Sequence, residues 1–405
     1  MATKLLKIIS KIEKRHSKKI DLSLKRTFNL LNKLDNPQNK LNNVVTVVGT
    51  NSKASMATAL STILKESGYK YNLYTSPHLQ SYTERFVFNN KEMDENELAT
   101  LLEDIDRILG DDNATVFEIL TCAFIKYAEN FKDNVNIVEA GLFHRFDSTN
   151  VFKQNLLTLL GVIHLDHLNW LDNKTIDGVI YEKTSALPTS NIFINNQMNS
   201  EIKIKIKKSL IENNSKKYFF GDHFNVTKSE NNFIHYQDEF GEIMLPQPNL
   251  IGDHQIYNVS TSIAASRKIF NISDANIKNS MSKMILKGRL EEIKSGKLKN
   301  LIGENRLIID GGHNINSAIS ISNWVKQQNE KVHLICGMMN DKPHKEFVNQ
   351  FENSVNSITL VDIPNQEGSI SKEEFKKKLG NKNIHTAESI EESLLMNKKD
   401  KNCIF

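Results

Sequence analysis

The sequence predicts an α/β protein: a doubly wound, mostly parallel sheet domain with a smaller α/β domain behind it. Three observations predict this. Short β-branched runs alternate with segments of helical period along most of the chain. The polar residues able to do chemistry collect just after those runs, at the edge where open parallel sheets bind ligands. The alternation is interrupted once and resumes beyond Leu286-Lys287-Gly288-Arg289, which divides the chain into domains 1–286 and 287–405.

Residues 1–35 read as basic amphipathic helices, with Leu5, Ile8, Ile9 and Ile12 on one face. Asn36-Pro37-Gln38 breaks that pattern. Val44 to Val48 is apolar except for Thr46, as expected of a parallel strand covered on both faces. Gly49-Thr50-Asn51-Ser52-Lys53-Ala54-Ser55 then turns into a helix. Its Met56, Ala59, Leu60, Ile63 and Leu64 form one stripe, with Gly68 at the C-terminal cap position. Strand, polar turn with Lys-x-Ser, then helix is a P-loop-type, phosphate-binding geometry. Backbone N–H groups and a helix N-terminus face the anion, Lys53 reaches the outer phosphates, and the Ser55 hydroxyl ligates magnesium. On this motif alone an ordinary strand-to-helix turn is an equal reading, because Ser52 and Val47 hold the usual glycine positions.

A second strand, 71–74, ends in Thr75-Ser76-Pro77-His78. An acidic helix follows over 92–109, and Thr115-Val116-Phe117-Glu118 opens another. A third strand, 135–138, delivers Glu139 at its end, where a carboxylate suits magnesium or its bound water. A fourth, 156–163, leads into His164-Leu165-Asp166-His167, and the next helix carries Glu182-Lys183. Residues 218–250 read as antiparallel strands appended to the sheet, and the helix after Gly252 to Asn258 runs through Ala264 and Ala265. In the second domain strands are expected at 307–310, 332–336 and 358–362 and a helix at 316–327, with Phe405 inside a last strand.

Composition narrows the class. Hydrophobic residues at 39% and charged residues at 25% belong to a globular chain, and a net charge of +4 argues neither for nor against nucleic acid. Cys122, Cys336 and Cys403 form no metal or redox spacing, which fits a reducing compartment. The apolar pairs in residues 1–19 are split by Lys7 and are too short for a secretory core, and no stretch has membrane-spanning length. The expectation is a cytoplasmic protein.

Taken together, the motifs resemble folylpolyglutamate synthase/dihydrofolate synthase, within the Mur ligase superfamily. The matching pieces occur in order: Asn36-Pro37-Gln38, Gly49 to Ser55, Tyr74 to Leu79, Thr115 to Glu118 and Glu139-Ala140-Gly141-Leu142. They continue through Arg145 with Asp147 to Asn150, Leu165-Asp166-His167, Glu182-Lys183 and His254-Gln255 with Asn258. The last are Gly288 to Glu291, Asp310 to Asn314, and Gly337-Met338 with Asp341-Lys342. Each is weak singly, and their order across the chain makes the pattern specific.

The resemblance implies an ATP-dependent ligase that phosphorylates a carboxylate and lets the amine of L-glutamate attack the acyl phosphate. It implies dihydropteroate and tetrahydrofolate forms as acceptors, ATP with magnesium at two sites, a Rossmann-like second domain closing over ATP and glutamate, and a monomer without nucleic-acid or membrane partners. Lys53 matches the phosphate-binding lysine within the Gly49, Thr50, Asn51, Ser52, Lys53, Ala54, Ser55 loop. Ser55, Ser76, Glu139 and His167 match metal positions, and Lys183 matches a lysine that carries a carbamate in many relatives and as such would bind magnesium too. With Lys53, His167 and Lys183 are the implied catalytic residues. Asn258, Arg289, Asp310 and His313 match nucleotide contacts, and Phe117, Asp147 and Ser148 match pterin-holding positions.

On residue type alone other readings stay open: Phe117 as core, Asp147 as a turn or cap, His313 as a loop histidine, Glu182-Lys183 as a surface pair. The chain departs from the family where Ser52 and Ala54 replace glycines in the phosphate loop. Phe143 and His144 replace a glycine pair, and His164 stands where a small residue is common. A diverged folate- or nucleotide-binding relative with weak or no turnover is therefore the alternative.

Overall fold

The computed structural model describes residues 3–15, 22–229, 231–380, 384–398 and 402–404; the expectations placed on residues 1–2, Lys19 and Phe405 fall outside them. Two compact units are present, Met1–Asn249 with Ile256–Met284 and Leu250–Gln255 with Ile285–Phe405.

The first unit begins with helices α1 (Lys4–Glu13) and α2 (Lys25–Lys33), strand β1 (Val44–Val48) and helix α3 (Lys53–Glu66). There follow β2 (Tyr71–Tyr74), β3 (Phe86–Phe88), β4 (Lys91–Glu92), α4 (Glu95–Leu109), α5 (Val116–Ala128) and β5 (Val135–Glu139). Next come β6 (Leu157–Leu160), α6 (Ile176–Thr184), β7 (Asn191–Ile194), α7 (Ser200–Ser209) and β8 (Lys216–Phe219). Strands β9 (Phe224–Lys228), β10 (Phe233–Asp238) and β11 (Gly241–Pro246) precede α8 (His254–Ile269) and α9 (Asp274–Met281).

The main sheet has the order β4-β3-β2-β5-β1-β6-β7-β8. Its six strands from β2 to β8 are parallel and the β3-β4 hairpin is antiparallel. All five residues of β1 are buried, because helices cover both faces. Helix α3 buries Met56, Ala59, Leu60, Ile63 and Leu64 and ends where Gly68, at φ +82°, lets Tyr69 N reach Leu64 O at 2.9 Å. Helix α5 starts in a capping box in which Thr115 and Glu118 satisfy each other's backbone N–H. Leu5, Ile8, Ile9 and Ile12 of α1 share a core with Leu98, Leu102 and Ile105 of α4, each such burial contributing about 1.5–3 kcal/mol. Lys11 and Arg15 fasten the same pair of helices by meeting the buried Asp106 carboxylate at 2.6 and 2.5 Å.

At the amino ends of β2 and β5 a buried amide network joins the strands. Asn72 Nδ2 donates to Asn136 Oδ1 (2.8 Å), while Asn72 Oδ1 accepts from Asn134 Nδ2 (2.9 Å) and Asn89 N (3.0 Å). Asn136 Nδ2 also reaches Asn42 O at 2.8 Å. Every loop with candidate chemistry leaves the opposite end.

The second unit holds a six-stranded sheet of β12 (Glu291–Glu292), β13 (Arg306–Ile309), β14 (Lys331–Cys336), β15 (Ser357–Leu360), β16 (Ile384–Thr386) and β17 (Asn402–Ile404). The order is β12-β13-β17-β14-β15-β16. Its core gathers Ile308, Leu334, Ile358 and Leu360 with Phe347, Phe351 and Phe375.

Several expectations need correction. The acidic helix starts at Glu95, after the Asp94 side chain caps Asn96 N and Glu97 N; Glu92 belongs to the β3-β4 hairpin. The fourth strand spans only Leu157–Leu160, since Gly161 is drawn toward the β1 loop. Residues 218–250 are not appended to the sheet. Strand β8 completes it in parallel, and β9 to β11 form a separate antiparallel sheet of order β11-β10-β9. Strand β7 and the β3-β4 hairpin had no counterpart in the sequence reading.

Candidate active site

The loop after β1 is built by close backbone approach. A Cβ on Gly49 would lie 2.8 Å from Asn51 O and one on Gly161 only 2.5 Å from it, so both positions exclude a side chain. Thr50 N and Asn51 N donate to Val162 O at 2.9 and 3.1 Å, tying the loop to the segment after β6. Thr50 Oγ1 donates to His164 O at 3.2 Å and accepts from His164 N at 3.1 Å. Ser52 sits in the left-handed region at φ +75° without a side-chain cap bond, which costs a serine about 1 kcal/mol over glycine. Ala54 is helical and carries no such strain. Helix α3 opens with the bond from Met56 N to Ser52 O at 2.9 Å, so the amides of Lys53, Ala54 and Ser55 face out of the helix N-terminus.

Two lysines converge on one carbonyl. Lys53 Nζ donates to Gly49 O at 3.0 Å and to Thr50 O at 3.2 Å, and Lys183 Nζ from α6 donates to the same Gly49 O at 3.0 Å. Lys183 is 3% exposed. Burial pushes its ammonium pKa down to about 7 and the Lys53 charge adds to this, while Asp166 and Asp147 act in the opposite sense. Glu182 is also buried, so Glu182-Lys183 is not a surface pair. Its carboxylate meets Arg145 at 2.6 and 3.0 Å, and Arg145 N donates to Glu182 O at 3.0 Å. The loop after β5 is thereby clamped to α6.

Glu139, 2% exposed, ends β5 directly beside Val47 of β1 and accepts from Ser76 N at 3.2 Å. Phe143, at φ +56°, places its ring 5.4 Å from Lys183 Nζ and edge-on to His167 at 6.1 Å. His167 is itself left-handed at φ +55°, and its backbone N–H donates to Asp166 at 2.9 Å. Among the described residues no group of three His, Cys, Asp or Glu gathers to hold a metal. Ser55 and Glu139 nevertheless supply the hard oxygen donors that magnesium selects, and this ion takes its remaining ligands from phosphates and water. Two ammonium groups on one carbonyl likewise fit a polyphosphate.

A second cluster lies around Gly141. A Cβ there would fall 2.6 Å from Phe117 Cζ, so the half-buried Phe117 ring rests on this backbone. Asp147 Oδ2 accepts from Gly141 N (3.0 Å) and Leu142 N (2.7 Å), and Oδ1 accepts from Thr149 N (3.0 Å) and Thr149 Oγ1 (2.5 Å). Burial raises its pKa and these bonds oppose the rise. Ser148 Oγ pairs with Thr121 Oγ1 at 2.9 Å, which also donates to the Tyr74 hydroxyl at 3.2 Å.

The remaining predicted residues are Asn258 in the first unit and Arg289, Asp310 and His313 in the second. Asn258 is buried on α8 and accepts from Asn195 Nδ2 at 2.8 Å. Asp310 accepts from Leu290 N (2.8 Å) and Gly312 N (2.6 Å), and burial raises its pKa against the pull of Arg289. Arg289 Nη1 donates to Gly288 O at 3.1 Å, and the exposed His313 ring meets Gly311 O at 2.9 Å.

Known proteins resemble this chain in both sequence and fold. Residues 288–399 match the Mur ligase, glutamate ligase domain. The dihydrofolate synthase/folylpolyglutamate synthase of Bacillus subtilis is 27% identical over 373 residues, covering 86% of this chain and 83% of that protein. The Escherichia coli enzyme of the same name is 28% identical, covering 84% and 78%. The structure of E. coli FolC in complex with DHPP and ADP superposes with a TM-score of 0.85 at 25% identity, covering 100% of this chain and 94% of that one. Over most of its length the chain is similar to dihydrofolate synthase/folylpolyglutamate synthases.

The structure brings Lys53, Lys183 and His167 together through Gly49 and Phe143, and Phe117, Asp147 and Ser148 together around Gly141. Asp147 spends both oxygens on its own loop, so in this structure the carboxylate organises the turn. Sequence reasoning missed Thr121, which reads as an ordinary helix residue, gave Tyr74 no role beyond its motif, and left His144 without a role. No spacing signal marks them.

Proposed function

We propose that this protein is an ATP-dependent ligase that joins L-glutamate to dihydropteroate, giving dihydrofolate, and to folates, giving polyglutamates, through an acyl phosphate. The observation that carries the reading is the shared carbonyl: Lys53 and Lys183 both donate to Gly49 O at 3.0 Å. While both are charged, such a pair repels by on the order of 3 kcal/mol at an effective dielectric of 20, and an anion there, a phosphate or a carbamate formed on Lys183, relieves that repulsion. The α3 amides cradle phosphate oxygens, and Lys53 swings from Gly49 O to the outer phosphates. Ser55 and Glu139, with Ser76 and His167, would hold magnesium, which would supply charge neutralisation for the phosphates.

Lys183 is proposed to carry a carbamate. Its pKa of about 7 leaves free amine at neutral pH, and the carbamate turns a second cation into an anion beside Lys53. Phe117 and Ser148 offer an aromatic face and a hydroxyl to a pterin, over a loop held by Asp147. Asn258, Arg289, Asp310 and His313 are proposed as nucleotide contacts. The described residues include no helix long and apolar enough to cross a membrane, and a cytoplasmic monomer without nucleic-acid partners is our reading of the rest.

The test is phosphate release with Mg-ATP and L-glutamate, comparing 7,8-dihydropteroate with a tetrahydrofolate. Turnover requiring glutamate and either pterin is expected. ATP binding without turnover on both acceptors would overturn the ligase reading in favour of a diverged binding protein.

A further inference from the structure

Buried carboxamides form a ladder off the carboxyl end of β7, and the main chain dictates which way each one faces. Asn195 and Gln197 follow β7, Asn258 lies on α8, and each is 2% exposed. A peptide N–H only donates, so it identifies the oxygen of any amide it meets. Ile163 N donates to Gln197 Oε1 at 3.1 Å, which leaves Gln197 Nε2 to donate to Gly161 O at 3.2 Å and Asn195 O at 2.9 Å. Asn196 N donates to Asn195 Oδ1 at 2.7 Å, which aims Asn195 Nδ2 at Asn258. The atom met there, at 2.8 Å, is therefore Asn258 Oδ1. With its oxygen turned inward, the Asn258 amide presents nitrogen on its other side.

The ladder begins at the phosphate loop. Gly161, gripped by Gln197, packs its backbone against Asn51 O, and the next carbonyl, Val162 O, holds Thr50 N and Asn51 N. It ends on α8, which Ser262 Oγ ties to α3 by donating to Met56 O at 2.9 Å. Strand β7 lies two strands from β1, a lateral step of about 10 Å along the sheet edge. The amides thus stand to one side of the loop that faces the phosphates, where the rest of a nucleotide has to lie.

We propose that Asn195 is a positioning residue that fixes Asn258 as a hydrogen-bond donor to a ring nitrogen of the nucleobase. The proposal rests on the reading of Asn258 as a nucleotide contact. The ring nitrogens of adenine accept hydrogen bonds, so an amide oxygen in that place would repel them. Asn195 removes that wrong orientation before the nucleotide arrives.

The test is calorimetric binding of Mg-ADP, and of magnesium tripolyphosphate, which has no base, to the full chain as wild type, Asn195→Asp and Asn195→Leu. Aspartate accepts where asparagine donated, so Asn258 turns its nitrogen inward; leucine removes the donor without adding an acceptor. Both variants are expected to bind ADP about tenfold more weakly, as for one hydrogen bond, with tripolyphosphate within about twofold of wild type. The 1-, 3- and 7-deaza analogues of ADP each lack one ring nitrogen. One of them should bind wild type about tenfold more weakly than ADP does, and Asn195→Asp should bind that analogue and ADP alike. The wild-type series needs no folded variant. Unchanged ADP affinity in both variants, parallel losses of ADP and tripolyphosphate, or equal wild-type affinity for ADP and every analogue would overturn the proposal while leaving the phosphate-loop reading intact. Wild type that binds neither ADP nor tripolyphosphate would overturn both.

Discussion

Replacing Lys183 by Met should stabilise the ligand-free protein while abolishing its chemistry. Lys183 is buried, and its pKa falls from 10.5 to about 7. The unfolded chain therefore holds a proton between those values that the folded chain has released, so wild-type stability rises with pH across that window. Below pH 7 the full penalty applies, roughly 5 kcal/mol from about 1.4 kcal/mol per pH unit. Methionine keeps the packing and loses one hydrogen bond, about 1 kcal/mol. Gly49 O stays satisfied by Lys53. The variant should lead by about 3–4 kcal/mol at pH 6.5 and by nearly nothing at pH 9.5. The chain has two tryptophans, Trp170 in the first unit and Trp324 in the second. A Trp324→Phe background therefore lets Trp170 fluorescence report urea unfolding of the first unit alone, in bicarbonate-free buffer. A difference that is absent at pH 6.5, or that stays constant up to pH 9.5, would refute the assignment of Lys183 as a destabilised buried cation.

Three further outcomes follow from the geometry. Lys53→Ala should reduce glutamate-dependent phosphate release by about a thousandfold or more, as expected for losing a phosphate-stabilising charge; unchanged turnover would remove Lys53 from the site. Phe117→Ala should weaken dihydropteroate use more than tetrahydrofolate use, measured as kcat/KM for each, and equal losses would count against the Gly141 cluster as a pterin seat. Ser52→Gly should raise stability by about 0.5–1 kcal/mol by relieving φ +75°. A lower urea midpoint would show that the serine is held there by contacts worth more than the strain.

Much of this architecture was legible because burial and period speak directly through residue type. The β1 run, the α3 stripe and the Thr115 cap each carry a local signal, and the structure places them where that signal points. The β3-β4 hairpin and β7 were not legible: Lys91–Glu92 is a two-residue strand set by pairing, and Asn191–Ile194 is too short to show a period. In the candidate site, motif order singled out Lys53, Glu139 and Lys183, but it could not show that Lys183 and Lys53 share an acceptor. That is a tertiary fact, made by α6 reaching across the sheet edge. Asp147 shows the reverse limit. Its residue type allowed both a ligand and a turn cap, and only the four bonds to its oxygens show how completely the loop uses it.

The asparagine network at the amino ends of β2 and β5 has a consequence for how freely the opposite rim can change. Slipping either strand by one residue would leave several buried amides unpaired at about 1–3 kcal/mol each, so alignment is settled there. The loops at the other end are released from that duty. A phenylalanine can then occupy a left-handed turn at position 143, and a histidine can be sealed in at 144, without the strands having to find a new alignment. The sheet is keyed like a lock cylinder at one end, while its other end stays open to chemical revision.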